Sequence, residues 1–111
     1  RQLAAGEPLT IVGDGEQRRD FTYVKDIVNA NIMAALSNAD KEAYGQVYNV
    51  GSGENHSVNE VAAMISDDVK YIPSRLGEAR ISLANVDKIY KTFAWKPQQN
   101  LKEWVKKQIG N

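Results

Sequence analysis

Two short segments hold the residues with the most chemistry to offer. Gly13-Asp14-Gly15-Glu16-Gln17-Arg18-Arg19-Asp20-Phe21 joins a glycine turn to two adjacent arginines, and Arg75-Leu76-Gly77-Glu78-Ala79-Arg80 follows Pro73-Ser74. Turn glycines expose backbone N–H groups, and a guanidinium presents a planar donor fork that fits phosphate oxygens. A carboxylate such as Glu78 can accept both hydroxyls of a ribose cis-diol, with Arg75 or Arg80 beside a phosphate. The residues alone leave a second reading open, in which both segments are solvated loops whose arginines pair with Asp14, Glu16 or Asp20.

Other candidates carry less. Gly51-Ser52-Gly53 starts like a dinucleotide fingerprint, but His56 stands at the third glycine position, so the segment reads as a turn. His56 beside Ser57 lacks an ordered third partner and reads as a solvent-facing residue next to a helix cap. Asp67-Asp68 offers too few oxygens for a hard cation. Trp95 and Trp104 read as packing residues, and Asn31, set within an apolar stripe, calls for a hydrogen-bond partner.

Composition bounds the rest. The chain has 111 residues, 14 Lys+Arg against 14 Asp+Glu, one His and no Cys. Zero net charge provides no field to attract nucleic acid or an anionic membrane, so an anion site has to be built locally. Without cysteine, thiol nucleophiles, disulfides and Cys/His zinc sites are excluded. The longest apolar run, Ile32 to Leu36, falls far short of the roughly 20 residues that span a bilayer. The chain begins at Arg1 with no apolar signal region, so it is expected to start after processing or partway through a longer protein. Its length suffices for a modest core.

The elements that must position the two arginine segments follow from pattern. Pro8 to Val12 predicts a strand running into the glycine turn, and Phe21 to Val24 a brief extended segment. Val24, Ile27, Val28, Ile32 and Ala35 predict a helix over 24–37. Gln46 to Val50 reads as a strand ending at Gly51. Ser57 with Glu60 forms a capping-box pattern ahead of a second helix. Val69 to Ile72 is a strand stopped by Pro73. Asn85 can cap a helix from Val86 to about Phe93, and Asn100 a last helix with Leu101, Trp104, Val105 and Ile109 on one face. Alternating strands and helices favour an α/β or α+β layer arrangement.

Taken in order, the segments 13–26, Tyr48-Asn49-Val50-Gly51-Ser52-Gly53, Ser57-Val58-Asn59-Glu60, Arg75-Leu76-Gly77-Glu78 and Trp95-Lys96-Pro97 form a pattern covering nearly the whole chain. It resembles the C-terminal part of the extended short-chain dehydrogenase/reductase family, specifically the NAD-dependent nucleotide-sugar epimerases and dehydratases, with UDP-glucose 4-epimerases as the nearest pattern. The resemblance implies that Arg19 and Arg75 bind the substrate pyrophosphate and Glu78 the ribose hydroxyls, while Thr10, Ile11 and Val12 lie against the uracil mainly through their backbone. It implies structural roles for Asp20 and Asp26, and that 49–53 ends a strand of the family's sheet. The family's Gly-x-x-Gly-x-x-Gly turn and Tyr-x-x-x-Lys pair are not in this sequence. The interval from Ser57 to Arg75 is shorter than usual, Asn85 stands where the family has Asp, and Phe93-Ala94-Trp95 replaces Leu-Gly-Trp.

The expectation is therefore an α/β portion, α+β when isolated. Residues 1–111 form the C-terminal nucleotide-sugar-binding part without its Rossmann domain, cytoplasmic, with no catalytic residue or metal of its own. NAD is expected in the full-length parent and none for this chain. The expected partners are a UDP-sugar, the absent Rossmann domain, and a second copy through exposed apolar faces, with no nucleic acid or membrane. The rival functions are a non-catalytic nucleotide- or anion-binding module and a self-associating structural fragment. Within the family the alternatives are a 4,6-dehydratase or a decarboxylase.

Overall fold

The computed structural model describes residues 1–110. Strand β1 (Leu9–Val12) is followed by β2 (Arg18–Arg19), helix α1 (Val24–Leu36) and a 3-10 turn (Lys41–Ala43). Then come β3 (His56–Ser57), α2 (Val58–Ile65), β4 (Val69–Ile72), α3 (Asp87–Phe93) and α4 (Leu101–Ile109). β1 and β4 pair in parallel with Leu9 opposite Val69 and Val12 opposite Ile72. β2 and β3 pair antiparallel, Arg18 opposite Ser57 and Arg19 opposite His56. On its other side β2 bridges Ile81 in parallel.

Local chemistry sets most of the boundaries. Ser57 accepts from the Glu60 N–H while the Glu60 carboxylate accepts from the Ser57 N–H, the reciprocal cap expected at the start of α2. Asn100 accepts from the Glu103 N–H and starts α4. The α3 cap shifts by one residue: Val86 is the N-cap and the Asn85 side chain accepts from the Asp87 N–H. α3 ends at Ala94, the one non-glycine residue with positive φ among the described residues, at 58°. A Cβ in that left-handed region costs about 1 kcal/mol. Ala94→Gly is therefore expected to raise stability by about 0.5–1 kcal/mol, read as a higher urea midpoint.

Residues 46–50 do not form the expected strand. Tyr48 packs its ring against Phe93 at 5.2 Å, and Lys88 donates to the Val47 carbonyl at 2.8 Å while its ammonium lies 4.7 Å from the Tyr48 ring centre. These side-chain ties hold the segment against α3, and no described strand lies beside its backbone. Phe21 to Tyr23 likewise passes into α1 without strand pairing.

The buried residues fall into two small groups. Ala30 of α1, Ile89 of α3 and Trp95 cluster with Met33, Tyr48, Val50, Val86 and Phe93 packed around them. Ile11, Ala62 and Val105 are the buried apolar residues of β1, α2 and α4, and α2 contacts both of the other elements. The molecule is a slab of 52 × 36 × 16 Å with a radius of gyration of 17.2 Å. A rounded domain of this length has a radius near 13 Å. So thin a molecule leaves Val24, Val28, Ile32 and Leu36 of α1 exposed at every fourth position.

Candidate substrate-binding site

The two arginine segments meet at one end of the β1–β4 pair. Gly13 donates its N–H to the Ile72 carbonyl at 2.8 Å, so the turn after β1 and the loop after β4 leave the sheet side by side. Between them lies an open hollow of about 390 Å³, lined by Val12, Gln17, Ser74, Arg75, Glu78 and Arg80 among others. Arg75 and Glu78 thus share one concavity with the end of β1.

The glycine turn is shaped by α2. Gly13 and Gly15 have φ of 71° and 75°, and Asn59 of α2 fits against Gly15 so closely that a side chain there would overlap it. Asn59 donates to the Asp14 carbonyl at 3.0 Å and to Glu16 Oε1 at 2.6 Å. Its Oδ1 accepts from the Tyr71 hydroxyl at 3.0 Å. Sequence reasoning missed Asn59, because an Asn in the first turn of a helix carries no local sign of a partner in a distant loop.

β1 offers its backbone selectively. The Leu9 and Gly13 amides donate toward β4, and by strand alternation Ile11 belongs to the same set. Ile11 is only 2% exposed and leaves no group at the open edge. Thr10 N–H points outward and donates to Gln2 Oε1 at 3.1 Å, while Gln2 Nε2 donates to Thr10 Oγ1 at 3.1 Å. The Val12 carbonyl accepts from Gln17 Nε2 at 2.9 Å. Two carboxamides therefore occupy the edge expected to meet a base; Gln17 belongs to the first arginine segment, whereas Gln2 did not stand out in the sequence.

The two adjacent arginines separate. Arg18 turns toward α2, donating to Glu60 Oε1 at 3.0 Å, to Asn55 Oδ1 at 3.0 Å and to the Asn55 carbonyl at 3.1 Å. The Arg18 guanidinium and the Ser57 N–H hold the Glu60 carboxyl below its usual range. Arg19 donates to the Arg18 carbonyl at 2.8 Å and does not line the hollow. Strand alternation places it on the face shared with Gln17, which does. His56 is less exposed than expected: paired in β3, it lies 3.5 Å from Glu60 Oε2 with its side chain 23% exposed. Asn31 donates to the Ile27 carbonyl of its own helix at 3.2 Å.

Asp20 joins three loops. Its carboxylate accepts from Ser52 N–H at 2.9 Å, Ser52 Oγ at 2.6 Å, Gly53 N–H at 3.1 Å, Ala84 N–H at 3.2 Å and Thr22 Oγ1 at 3.0 Å. Burial pushes this carboxyl up, but the hydrogen bonds from Ser52, Ala84 and Thr22 outweigh it and hold the group below its ordinary value. The Ser52 and Gly53 amides of the Gly51-Ser52-Gly53 turn are consequently taken by Asp20. The first turn of α2 beyond it is closed by its own capping box. Asp67 and Asp68 form no metal-binding group, and among the described residues no cluster of three ligating side chains occurs. No helix among them is long and apolar enough to cross a membrane.

The model of the NAD dependent epimerase/dehydratase family matches residues 1–51. Over 113 aligned positions the chain is 32% identical to UDP-glucose 4-epimerase of Mycolicibacterium smegmatis, covering 96% of this chain and 35% of that protein. The crystal structure of UDP-glucose 4-epimerase from Thermotoga maritima with UDP-glucose matches at a TM-score of 0.84 and 30% identity, covering 98% of this chain and 36% of that one. UDP-glucuronic acid 4-epimerase from Bacillus cereus, in complex with UDP-glucuronic acid and NAD, matches at a TM-score of 0.85 and 29% identity over 95% of this chain and 35% of that one. The chain spans about a third of the length of these proteins. Its own residues do not fit a dinucleotide: the Ser52 and Gly53 amides are filled by Asp20, the α2 N-terminus by Glu60, and no tyrosine is followed four residues later by a lysine. The relatives match over nearly the whole chain and the family model over its first 51 residues, and the chain belongs to the NAD-dependent epimerase/dehydratase family.

Proposed function

We propose that residues 1–111 are the C-terminal, substrate-binding portion of a UDP-sugar 4-epimerase-like enzyme, gripping the nucleotide end while the rest of the protein supplies NAD and the acid/base tyrosine. The observation that carries the reading is the hollow that gathers Arg75 and Glu78 against Val12. In it Glu78 accepts the ribose hydroxyls and Arg75 meets the pyrophosphate. Arg19, on the face shared with Gln17, is the second cation. Thr10 takes the base at the strand edge after the Gln2 carboxamide moves aside. Such remote contacts serve catalysis by holding the reacting sugar in register. The exposed stripe Val24, Val28, Ile32 and Leu36 supports the same reading, since an apolar helix face left uncovered by so thin a slab is available to a further layer.

Parallel titrations with uridine and UDP, followed by amide chemical shifts, test the assignment residue by residue. Glu78→Gln is expected to weaken both ligands, because both carry the ribose. Arg75→Ala is expected to weaken UDP by about tenfold or more and leave uridine unchanged, since a charge-assisted hydrogen bond is worth about 1.5–3 kcal/mol. Absence of shifts at Arg75 and Glu78 with millimolar UDP overturns the reading. Concentration-dependent sedimentation in that case favours self-association through the α1 stripe.

A further inference from the structure

The loop carrying Arg75 and Glu78 is fastened at its two ends and nearly bare between them. At one end the Ile72 carbonyl accepts from Gly13 N–H. At the other, Arg18 N–H donates to the Arg80 carbonyl at 2.8 Å and Ser82 N–H donates to the Arg18 carbonyl at 3.0 Å. In between, Leu76 is fully exposed and Gly77 has a φ of 78°, so the stretch before Glu78 has little packing to define its path. One side-chain contact spans the gap. Arg80 Nη1 and Nη2 donate to Asp14 Oδ1 and Oδ2, both at 2.9 Å.

That contact has the geometry of a designed fork. Both guanidinium nitrogens meet both carboxylate oxygens, an arrangement that fixes direction as well as distance. Asp14 is itself held, because Oδ1 also accepts from Glu16 N–H at 2.9 Å and Asn59 binds the Asp14 carbonyl. Arg80 pulls the Asp14 carboxyl below its usual range, and Asp14 raises the guanidinium in return. Both partners line the hollow, where they meet.

We propose that Asp14 and Arg80 form a latch that draws the 73–80 loop onto the glycine turn and so sets where Arg75 and Glu78 stand over the hollow. Arg80 is then a positioning residue, with Nη1 and Nη2 both engaged by Asp14, and the phosphate is left to Arg75. This rests on the substrate-binding reading above. It extends that reading by naming two residues that act through the loop, and it makes the site's affinity depend on an exposed ion pair that salt can screen.

The test compares Arg80→Ala, Asp14→Ala and the exchanged pair Asp14→Arg with Arg80→Asp in the 111-residue chain. Because the latch acts through loop placement, each single variant is expected to weaken UDP and uridine alike, by about two- to fivefold, the range an exposed ion pair can contribute. The exchanged pair is expected to recover affinity, and melting temperatures to stay close to the parent's because both side chains are exposed. Weakening of UDP alone by Arg80→Ala, with Asp14→Ala silent, would make Arg80 a direct phosphate ligand and overturn the latch. Unchanged affinity in both single variants also overturns it. If the parent chain binds neither ligand, the substrate-binding reading fails by itself, and the latch is still decided by heteronuclear relaxation. Its prediction is faster amide motion at 77–79 in both single variants, reversed in the exchanged pair, and unaltered motion refutes it.

Discussion

Asp20→Ala is expected to lower the stability of the chain by about 2–4 kcal/mol, because five donors from three separated loops lose their common acceptor. Without it the Ser52, Gly53 and Ala84 amides lose the acceptor they share. The space is also closely fitted: a Cβ on Gly51 would stand 2.5 Å from the Ala84 Cβ and 2.9 Å from Asp20 Oδ2. Asp20→Asn separates charge from shape. Its amide retains one acceptor oxygen but points a donor at N–H groups, so most of the loss persists. Urea midpoints measured for the three proteins check the order parent, Asn, Ala, and equal midpoints would remove the hub from the account.

The same carboxylate predicts a pH dependence. Its folded pKa lies below the unfolded value, so the unfolded chain binds more protons in acid. Stability is then fully present above the unfolded pKa near 3.9 and is lost as pH falls through the folded value. Asp14 and Glu60, lowered by Arg80 and Arg18 respectively, act in the same direction. The urea midpoint is expected to hold level above about pH 5 and to fall below about pH 4, with a shallower fall in Asp20→Asn.

Trp95→Ala is the second large effect, about 3–5 kcal/mol. Trp95 is 2% exposed and central to the cluster of Ala30 and Ile89. Its indole N–H donates to the Asp26 carbonyl at 3.0 Å, and the Asp26 carboxylate accepts from Gln99 N–H at 3.2 Å. One side chain therefore ties the start of α1 to the segment leading into α4. In so thin a molecule there is little other core to take over. Trp95→Phe keeps most of the ring but drops the donor, and is expected to cost about 1–2 kcal/mol. With Trp104 replaced by Phe, Trp95 fluorescence alone reports the transition. Retention of a cooperative melt near the parent's midpoint in Trp95→Ala would show that α1 and α3 are held by something else.

How much of this was legible in the chain differs by element. The caps at Ser57 and Asn100, the stop at Pro73 and the stripe of α1 were readable because each depends on residues within a turn or two of one another. Asp20 and Asp26 were placed as structural through the family pattern, and both prove to be hydrogen-bond centres. The strand expected at 46–50 failed because extended propensity needs a neighbouring strand, and this segment is instead held against α3 by side chains. β2 and β3 were missed for the complementary reason: two-residue strands have no period to read, and only their pairing defines them.

Sequence by itself determined the family pattern, the balanced charge, most of the helix boundaries and the two arginine segments, all of which are written in residue type and near-neighbour spacing. The tertiary structure alone decided which arginine does what. Arg18 and Arg19 are adjacent in the chain, yet strand alternation sends Arg18 to Glu60 and leaves Arg19 on the other face. Arg75 and Arg80 share a loop, yet Asp14 captures Arg80 and leaves Arg75 facing the hollow with Glu78. The physical reason is that a guanidinium's role is set by the acceptors that folding brings within about 3 Å, and those acceptors come from distant parts of the chain.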